Sequence, residues 1–321
     1  MSSFPFAPDN IEPGSGIIAV DSLPPFHSNL RTLSYGYPLK LIAPRPNPTA
    51  KAILVFLLTY GGGLVAGDSI SLTVSVTSSG RVSLVTQGST KVFKSPSSDI
   101  VTRQTLEVRI EAGSALVYLP DPVQPFAESV YEQKQVFRVA KGGNLCFLDW
   151  VSEGRTARGE RWDLTSWKGR NEVYAVVDEK EVLLLRDNLL LAGADGSGIG
   201  LARRMDGLGV FGTLVLTGPL FSSLGKFFLE EFSALPRIGG RNWGEDATPA
   251  PLSEREAWRA KRVEDETESG LLWTAAAVRG LVVVKFGARE VEGGKQWLRS
   301  ILMQEGTVER EFGEGALLCL A

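Results

Sequence analysis

Histidine is nearly absent from this chain: its 321 residues contain one, His27. A histidine-rich metal centre, a His-x-x-x-His zinc helix and a facial triad of two histidines and a carboxylate are therefore excluded within one chain. His27 follows Leu23-Pro24-Pro25-Phe26 and precedes Ser28. In such a loop setting a solvated or hydrogen-bonded imidazole is the ordinary outcome and a catalytic base the rarer one. Cysteine is almost as scarce. Cys146 and Cys319 sit in the apolar contexts LCF and LCL, which reads as two buried free thiols rather than a disulfide. There is no C-x-x-C pair and no G-x-S-x-G elbow. Long apolar runs are also missing: none approaches the roughly 20 residues needed to span a bilayer. The opening MSSFPFAPDNIEPGSG lacks the basic head and apolar stretch of a secretory signal, so no membrane association and a cytoplasmic location are expected. Neither sign of charge dominates, with 34 Lys and Arg against 37 Asp and Glu and a net charge of -3. Without a stripe of basic residues interleaved with aromatics, nucleic acid is not an expected partner.

What the chain does have is strand pattern. With 43% hydrophobic and 22% charged residues it has an ordinary globular composition and ample length for a large core. Short aliphatic or β-branched runs occupy Gly16 to Leu23, Leu30 to Tyr35 and Ala52 to Leu58, the last apolar on both faces as in a strand buried from two sides. Ile70, Leu72, Val74 and Val76 then alternate with Ser69, Ser71, Thr73 and Ser75, the signature of a half-buried strand. Similar runs recur at spacings of roughly 10 to 15 residues as far as Gly212 to Thr217, with turn residues between them. This predicts a mainly β protein of stacked or helix-like layered sheets rather than βαβ units. Residues 1–15, rich in Pro, Ser and Gly, read as a flexible arm, and 16–321 as a single domain.

Two helices are expected in the C-terminal third, near 220–234 and 291–303. Their apolar faces, including Phe227, Phe228, Trp297 and Ile301, are ordinarily core-packing, but amphipathic helices on a β body also hold partners. Between them, 241–269 is a polar insert that reads as a solvated, partly helical loop.

Chemistry would sit in four loops. Tyr60 to Ser69 (YGGGLVAGDS) is not a phosphate cradle, because no Lys-Ser follows and the next element is a strand. It is a tight turn that presents Asp68, either as an Asx-type cap or as a functional carboxylate. Thr86 to Ser95 (TQGSTKVFKS) carries Gln87 and Lys91 at a strand exit, and Leu119 to Phe126 (LPDPVQPF) holds Asp121 between prolines that fix its geometry. Asp149 to Trp162 (DWVSEGRTARGERW) intersperses Asp149, Glu153 and Glu160 with Arg155, Arg158 and Arg161. It is either an exposed hairpin whose ion pairs contribute about 0 to 1 kcal/mol each, or a partly buried cluster in which arginine keeps a carboxylate ionised. Paired carboxylates on a β-rich fold would also suit a glycosidase-like hydrolase, although nothing in the sequence sets their separation.

Five motifs occur together and in order: YPLKLIAP (37–44), GGGLVAGDSISL (61–72), TQGSTKVFKS (86–95), LPDPVQPF (119–126) and WVSEGRTARGERW (150–162). Together they resemble the urease accessory protein D family, called H in some bacteria, over most of residues 28–220. The chain reads Ala66-Gly67-Asp68 where the family often has G-G-D, and Gly88-Ser89 where small alanines are usual. Its charged insert resembles that of eukaryotic forms. The resemblance implies a scaffold rather than an enzyme. It implies a cytosolic protein that, with accessory protein F and the GTPase accessory protein G, binds apo-urease and assists nickel loading. The implied fold is a helix-like stack of strands with two α-helices, a polar internal route for nickel, and a C-terminal part that holds protein F. On that reading Asp68, Asp121, Glu153 and Glu160 line a polar path, and Arg155 and Arg158 hold the acids, with Gln87 and Lys91 nearby. Phe227, Phe228, Trp297 and Ile301 would then face the partner. No permanently bound cofactor is expected, only transient nickel: carboxylate and water ligands bind it more weakly than imidazole or thiolate and suit passage. The β-rich hydrolase is the alternative.

Overall fold

The computed structural model describes residues 11–23, 27–45, 50–193, 199–235 and 253–321. The first strands are β1 (Ser15–Leu23), β2 (His27–Tyr35), β3 (Leu39–Ile42), β4 (Ile53–Thr59), β5 (Gly63–Leu64), β6 (Ser69–Val76), β7 (Arg81–Val85) and β8 (Thr90–Val92). They are followed by β9 (Thr102–Ile110), β10 (Ala115–Tyr118), β11 (Val123–Pro125), β12 (Val130–Ala140), β13 (Asn144–Ser152), β14 (Ser166–Val177) and β15 (Lys180–Ala192). A short helix α1 (Leu201–Arg204) precedes β16 (Val210–Thr217), α2 (Ser222–Ser233) and α3 (Glu254–Glu268). The hairpin β17 (Leu272–Val278) and β18 (Leu281–Ala288) leads into α4 (Val291–Glu305) and α5 (Thr307–Phe312).

The chain winds as a coil of strands. From β6 onward it alternates between two sheets, β6 to β7, β9 to β10 and β12 to β13. One sheet is ordered β15-β14-β12-β9-β6-β1-β2 and the other β17-β18-β16-β13-β10-β7-β4-β3. β1, β6, β9, β12 and β14 run parallel, as do β4, β7, β10 and β13. No helix is needed for these crossovers, because the strand of the opposite sheet supplies the return. The corners stack as well: Ala115 N–H donates to Gly80 O, Asn144 N–H to Ser114 O and Gly113 N–H to Gly142 O. This is the stacked, layered β arrangement expected from the strand spacing.

Three layers result. Inward residues of the two sheets interdigitate around Val74, Val108, Phe137 and Phe147, with the Phe137 and Phe147 rings stacked at 4.2 Å. On its other face the second sheet packs through Val117, Leu148, Trp150 and Phe286 against α2 and α4. That sheet is therefore covered on both sides, the reason β4 is apolar on both faces.

The helices depart from expectation. α2 and α4 lie where two were expected, but α3 occupies part of the insert, starting at a capping box in which Ser253 and Glu256 bond reciprocally. Arg262 and Glu266 on α3 are buried, so this stretch is docked rather than solvated, and 241–252 lies outside the described residues. α3 has no apolar stripe because its buried face is charged, which hides it from a periodicity reading. Of the expected N-terminal arm, 1–10 lies outside the described residues, whereas Gly14 N–H donates to Tyr37 O and Ser71 N–H to Gly14 O.

Candidate functional site

Between the two sheets the apolar core gives way to a polar seam. In β12 the inward positions run Tyr131, Gln133, Gln135, Phe137 and Val139, all buried, so two amides occupy places where the alternation would put hydrocarbon. The first meets Asp149 on β13: Gln133 Nε2 donates to its Oδ1 at 2.6 Å, and Asn171 Nδ2, on β14, donates to its Oδ2 at 2.6 Å. Gln135 Nε2 in turn donates to Asn171 Oδ1 at 3.1 Å. Register extends the seam sideways, because Asp149 stands opposite Thr213 of β16, and Thr213 opposite Lys285 of β18. Lys285 Nζ donates to Asp187 of β15 at 2.9 and 2.8 Å, linking the sheets again. Burial pushes the Asp149 carboxyl up, against the Asn171 and Gln133 amides that favour its ionised form, and the nearby Asp187 pushes it further.

At its other end the seam reaches Asp121. Asp121 Oδ2 accepts from Thr86 Oγ1 at 3.0 Å and Gly88 N–H at 2.9 Å, while Lys295 Nζ, from α4, donates to Oδ1 at 2.7 Å. A cavity of about 20 Å³, bounded by Thr86, Gln104, Asp121, Gln133 and Asp149, lies between these groups. That is room for one water by the usual threshold of about 10 to 15 Å³. Cys319 Sγ borders the same corner, accepting from Thr86 N–H at 3.3 Å, and burial followed by the Asp121 charge pushes its thiol up to about 11. On the outside, a groove of about 610 Å³ is lined by Gln124, Glu153, Arg161, Glu290, Glu292 and again Lys295. Lys295 thus bounds the groove and, through Asp121, the interior.

The expected path residues divide accordingly. Asp121 is in the seam and Glu153 in the groove, where it accepts from Arg161 Nε at 2.9 Å. Asp68 and Glu160 instead close their own loops. Asp68 Oδ2 accepts from Val65 N–H, three residues before it, at 2.9 Å, which closes the turn rather than forming an Asx turn. Glu160 accepts from Ala127 N–H and from the Arg155 backbone and guanidinium. The Arg155 guanidinium holds its carboxyl below the usual range. The four acids therefore do not line one path. Gln87, Lys91 and Arg158 are exposed, and Arg158 makes no ion pair among the described residues. Gly63 is where the glycine loop needs its missing Cβ, since an added one would stand 2.7 Å from Lys91 O and the Phe93 ring. Of the residues not anticipated, Gln104, Gln133, Asn171 and Asp187 had one readable signal, a polar residue at an inward position of a strand, whereas Lys285 on β18 and Lys295 on α4 had none.

The aromatic positions expected to face a partner do not do so. Phe228, Trp297 and Ile301 are buried, and Phe227 packs under Trp258 of α3 with ring centroids 5.7 Å apart. The cover is electrostatic: the Glu231 carboxylate, fully buried on α2, accepts from Arg255, Arg259 and Arg262 of α3. Arg262 also pairs with Glu266, whose Oε1 accepts from Trp297 Nε1 at 2.9 Å. Core packing by these aromatics is the physical outcome because α3 supplies the countercharges that seal them.

Comparison with known proteins agrees with the motifs. The family described as UreD urease accessory protein matches residues 22–314. A urease accessory protein 4 of Cryptococcus neoformans var. grubii is 32% identical over 316 residues, covering 90% of this chain and 89% of its own. A urease accessory protein UreD of an Anaeromyxobacter species is 33% identical over 265 residues, 83% of this chain and 76% of its own. A urease accessory protein D of Arabidopsis thaliana is 36% identical over 192 residues, 59% of this chain and 63% of its own. With a family match over most of its length and a relative of this identity and coverage, the chain belongs to the UreD urease accessory protein family.

Proposed function

We propose that this protein is a cytoplasmic, non-catalytic scaffold in urease maturation. With accessory protein F and the GTPase accessory protein G it receives apo-urease and assists GTP-dependent nickel delivery. The ion is cargo, passing from the groove beside Glu153 along the polar seam. The observation that carries the reading is Lys295: it borders the open groove and pairs with Asp121 at the edge of the water-sized interior cavity. Among the described residues no three His, Cys, Asp or Glu side chains converge to hold a metal. Successive single carboxylates with amide and water neighbours bind nickel weakly enough to release it. The hydrolase alternative has no support in the geometry, because Glu153 and Glu160 are each engaged by an arginine and Asp68 by its own turn.

The test is Asp149→Asn in full-length protein coexpressed with urease and the accessory proteins. It keeps volume while removing the carboxylate that accepts from both Gln133 and Asn171. Urease purified from these cells is expected to carry less nickel and less activity, with co-purification of the accessory proteins unchanged. Full nickel loading by the variant would refute the internal route.

A further inference from the structure

The outward face of the first sheet carries a charge arrangement that its stability does not explain. Strand register aligns Arg103, Glu132 and Lys168 in one row across β9, β12 and β14, and Thr105, Lys134 and Arg170 in the next. The first row is self-neutralising, because Glu132 accepts from Lys168 Nζ at 3.0 Å and pairs with Arg103 at 3.4 Å. The second is not. Lys134 stands directly opposite Arg170; Arg170 is paired along its own strand with Glu172, whereas Lys134 is exposed and makes no ion pair among the described residues. Two rows on, Arg109 stands opposite Arg138, whose guanidinium is paired with Glu107 and Glu181. Like charges directly opposite on one sheet face destabilise it, and a cation left without a carboxylate at such a position, as Lys134 is, is the mark of a functional surface. A depression of about 480 Å³ opens here, and among its lining Arg103, Lys134, Lys168 and Arg170 face one carboxylate, Glu132. This basic concentration lies on a chain whose net charge is -3.

We propose that this face docks an acidic surface of a partner protein, with a partner carboxylate completing the row at Lys134. Charge complementarity of this kind sets partner choice and accelerates encounter. A protein is favoured over nucleic acid for two reasons. Glu132, Glu107 and Glu172 interrupt the cations at strand spacing and would repel a continuous phosphate backbone. Leu190, 68% exposed and paired with Lys168 at the end of the first row, offers apolar contact where a base-stacking aromatic would be needed. The proposal is independent of the nickel route.

The experiment titrates the full-length protein with poly-L-glutamate, and separately with a short DNA duplex, at low and at physiological salt. Variants are Lys134→Glu and, as a remote control of equal charge change, Lys226→Glu on α2. The wild type is expected to bind poly-L-glutamate in a salt-sensitive manner, with affinity falling about tenfold or more in Lys134→Glu and little in Lys226→Glu. The melting temperature of Lys134→Glu is expected to equal or exceed that of the wild type, since the introduced carboxylate would face Arg170 as an opposite charge. Absence of poly-L-glutamate binding, an equal fall in both variants, or no fall in Lys134→Glu would overturn the proposal. Tighter binding of the duplex than of poly-L-glutamate would assign the face to nucleic acid and overturn it too.

Discussion

Glu231→Gln is expected to release α3 from the body of the protein while leaving the β stack intact. In the native structure the Glu231 side chain is fully buried, and its oxygens accept from Arg259 Nε at 2.7 Å, Arg255 Nη2 at 2.8 Å and Arg262 Nη2 at 3.3 Å. The amide keeps the volume but removes the charge. Arg255 then retains Glu230 and Arg262 retains Glu266, whereas Arg259 loses its ion-pair partner among the described residues. Removing one member of a buried ion cluster costs about 3 to 5 kcal/mol, because the remaining charges stay desolvated. The apolar anchor left on α3 is Trp258, packed on Phe227 and donating Nε1–H to Ser300 Oγ at 2.9 Å. A free helix of this length is marginal in water even with its capping box. Local opening rather than global unfolding should therefore absorb the loss. At about 1.4 kcal/mol per tenfold, amide exchange across Glu254–Glu268 should accelerate by about 100-fold to 1000-fold or more, while β12 and β13 keep their protection. Hydrogen exchange read by mass spectrometry, segment by segment, measures this directly. Unchanged protection of α3, or a loss spread evenly into β12 and β13, would refute the reasoning. The pH dependence has a definite sign. Burial pushes the Glu231 carboxyl up, but hydrogen bonds from Arg259 and Arg255 and the adjacent charges more than offset it, so its folded pKa is depressed. The stabilisation is then complete above the unfolded value of about 4.3 and lost as pH falls through the folded one. Protection of α3 in the wild type should consequently decline only in acid.

Two further outcomes follow from the packing. Phe137→Ala removes a fully buried ring stacked on Phe147 between the sheets and should cost about 3 to 5 kcal/mol. A urea melt reads this, and a loss below about 1.5 kcal/mol would mean that the site collapses around the void. Gly63→Ala places a methyl group 2.7 Å from Lys91 O and Phe93. It should part β5 from β8 at about 1 to 3 kcal/mol, visible as faster exchange at Leu64 and Phe93, and an unaltered exchange pattern would show that the turn relaxes without strain.

The strands of this protein were largely legible because alternation is a local signal. Ile70, Leu72, Val74 and Val76 announce their common face without reference to any other strand, and the structure buries all four. The hairpin β17–β18 and the docking of helix α3 were not legible, for different reasons. Leu281 to Val284 is a short apolar run without alternation. The buried side of α3 is Arg262 and Glu266, residues that look solvated until Glu231 and Trp297 are known to face them.

The glycine loop, the proline-fixed Asp121 and the arginine-rich turn could be named from the sequence, since glycine, proline and paired charges shape backbone locally. Their meaning could not. Asp68, and Glu160 apart from one bond from Ala127, accept hydrogen bonds from their own loops, so proximity in sequence competes successfully for their lone pairs. Asp149, set within the same arginine-rich motif, meets Gln133 from 16 residues upstream and Asn171 from 22 residues downstream. The sequence by itself determined a layered β stack with late helices and the family to which it belongs, because period and motif are properties of the chain. Which inward-facing polar groups meet was decided by the tertiary structure alone, because period two assigns a residue to a face while only strand register assigns it a partner.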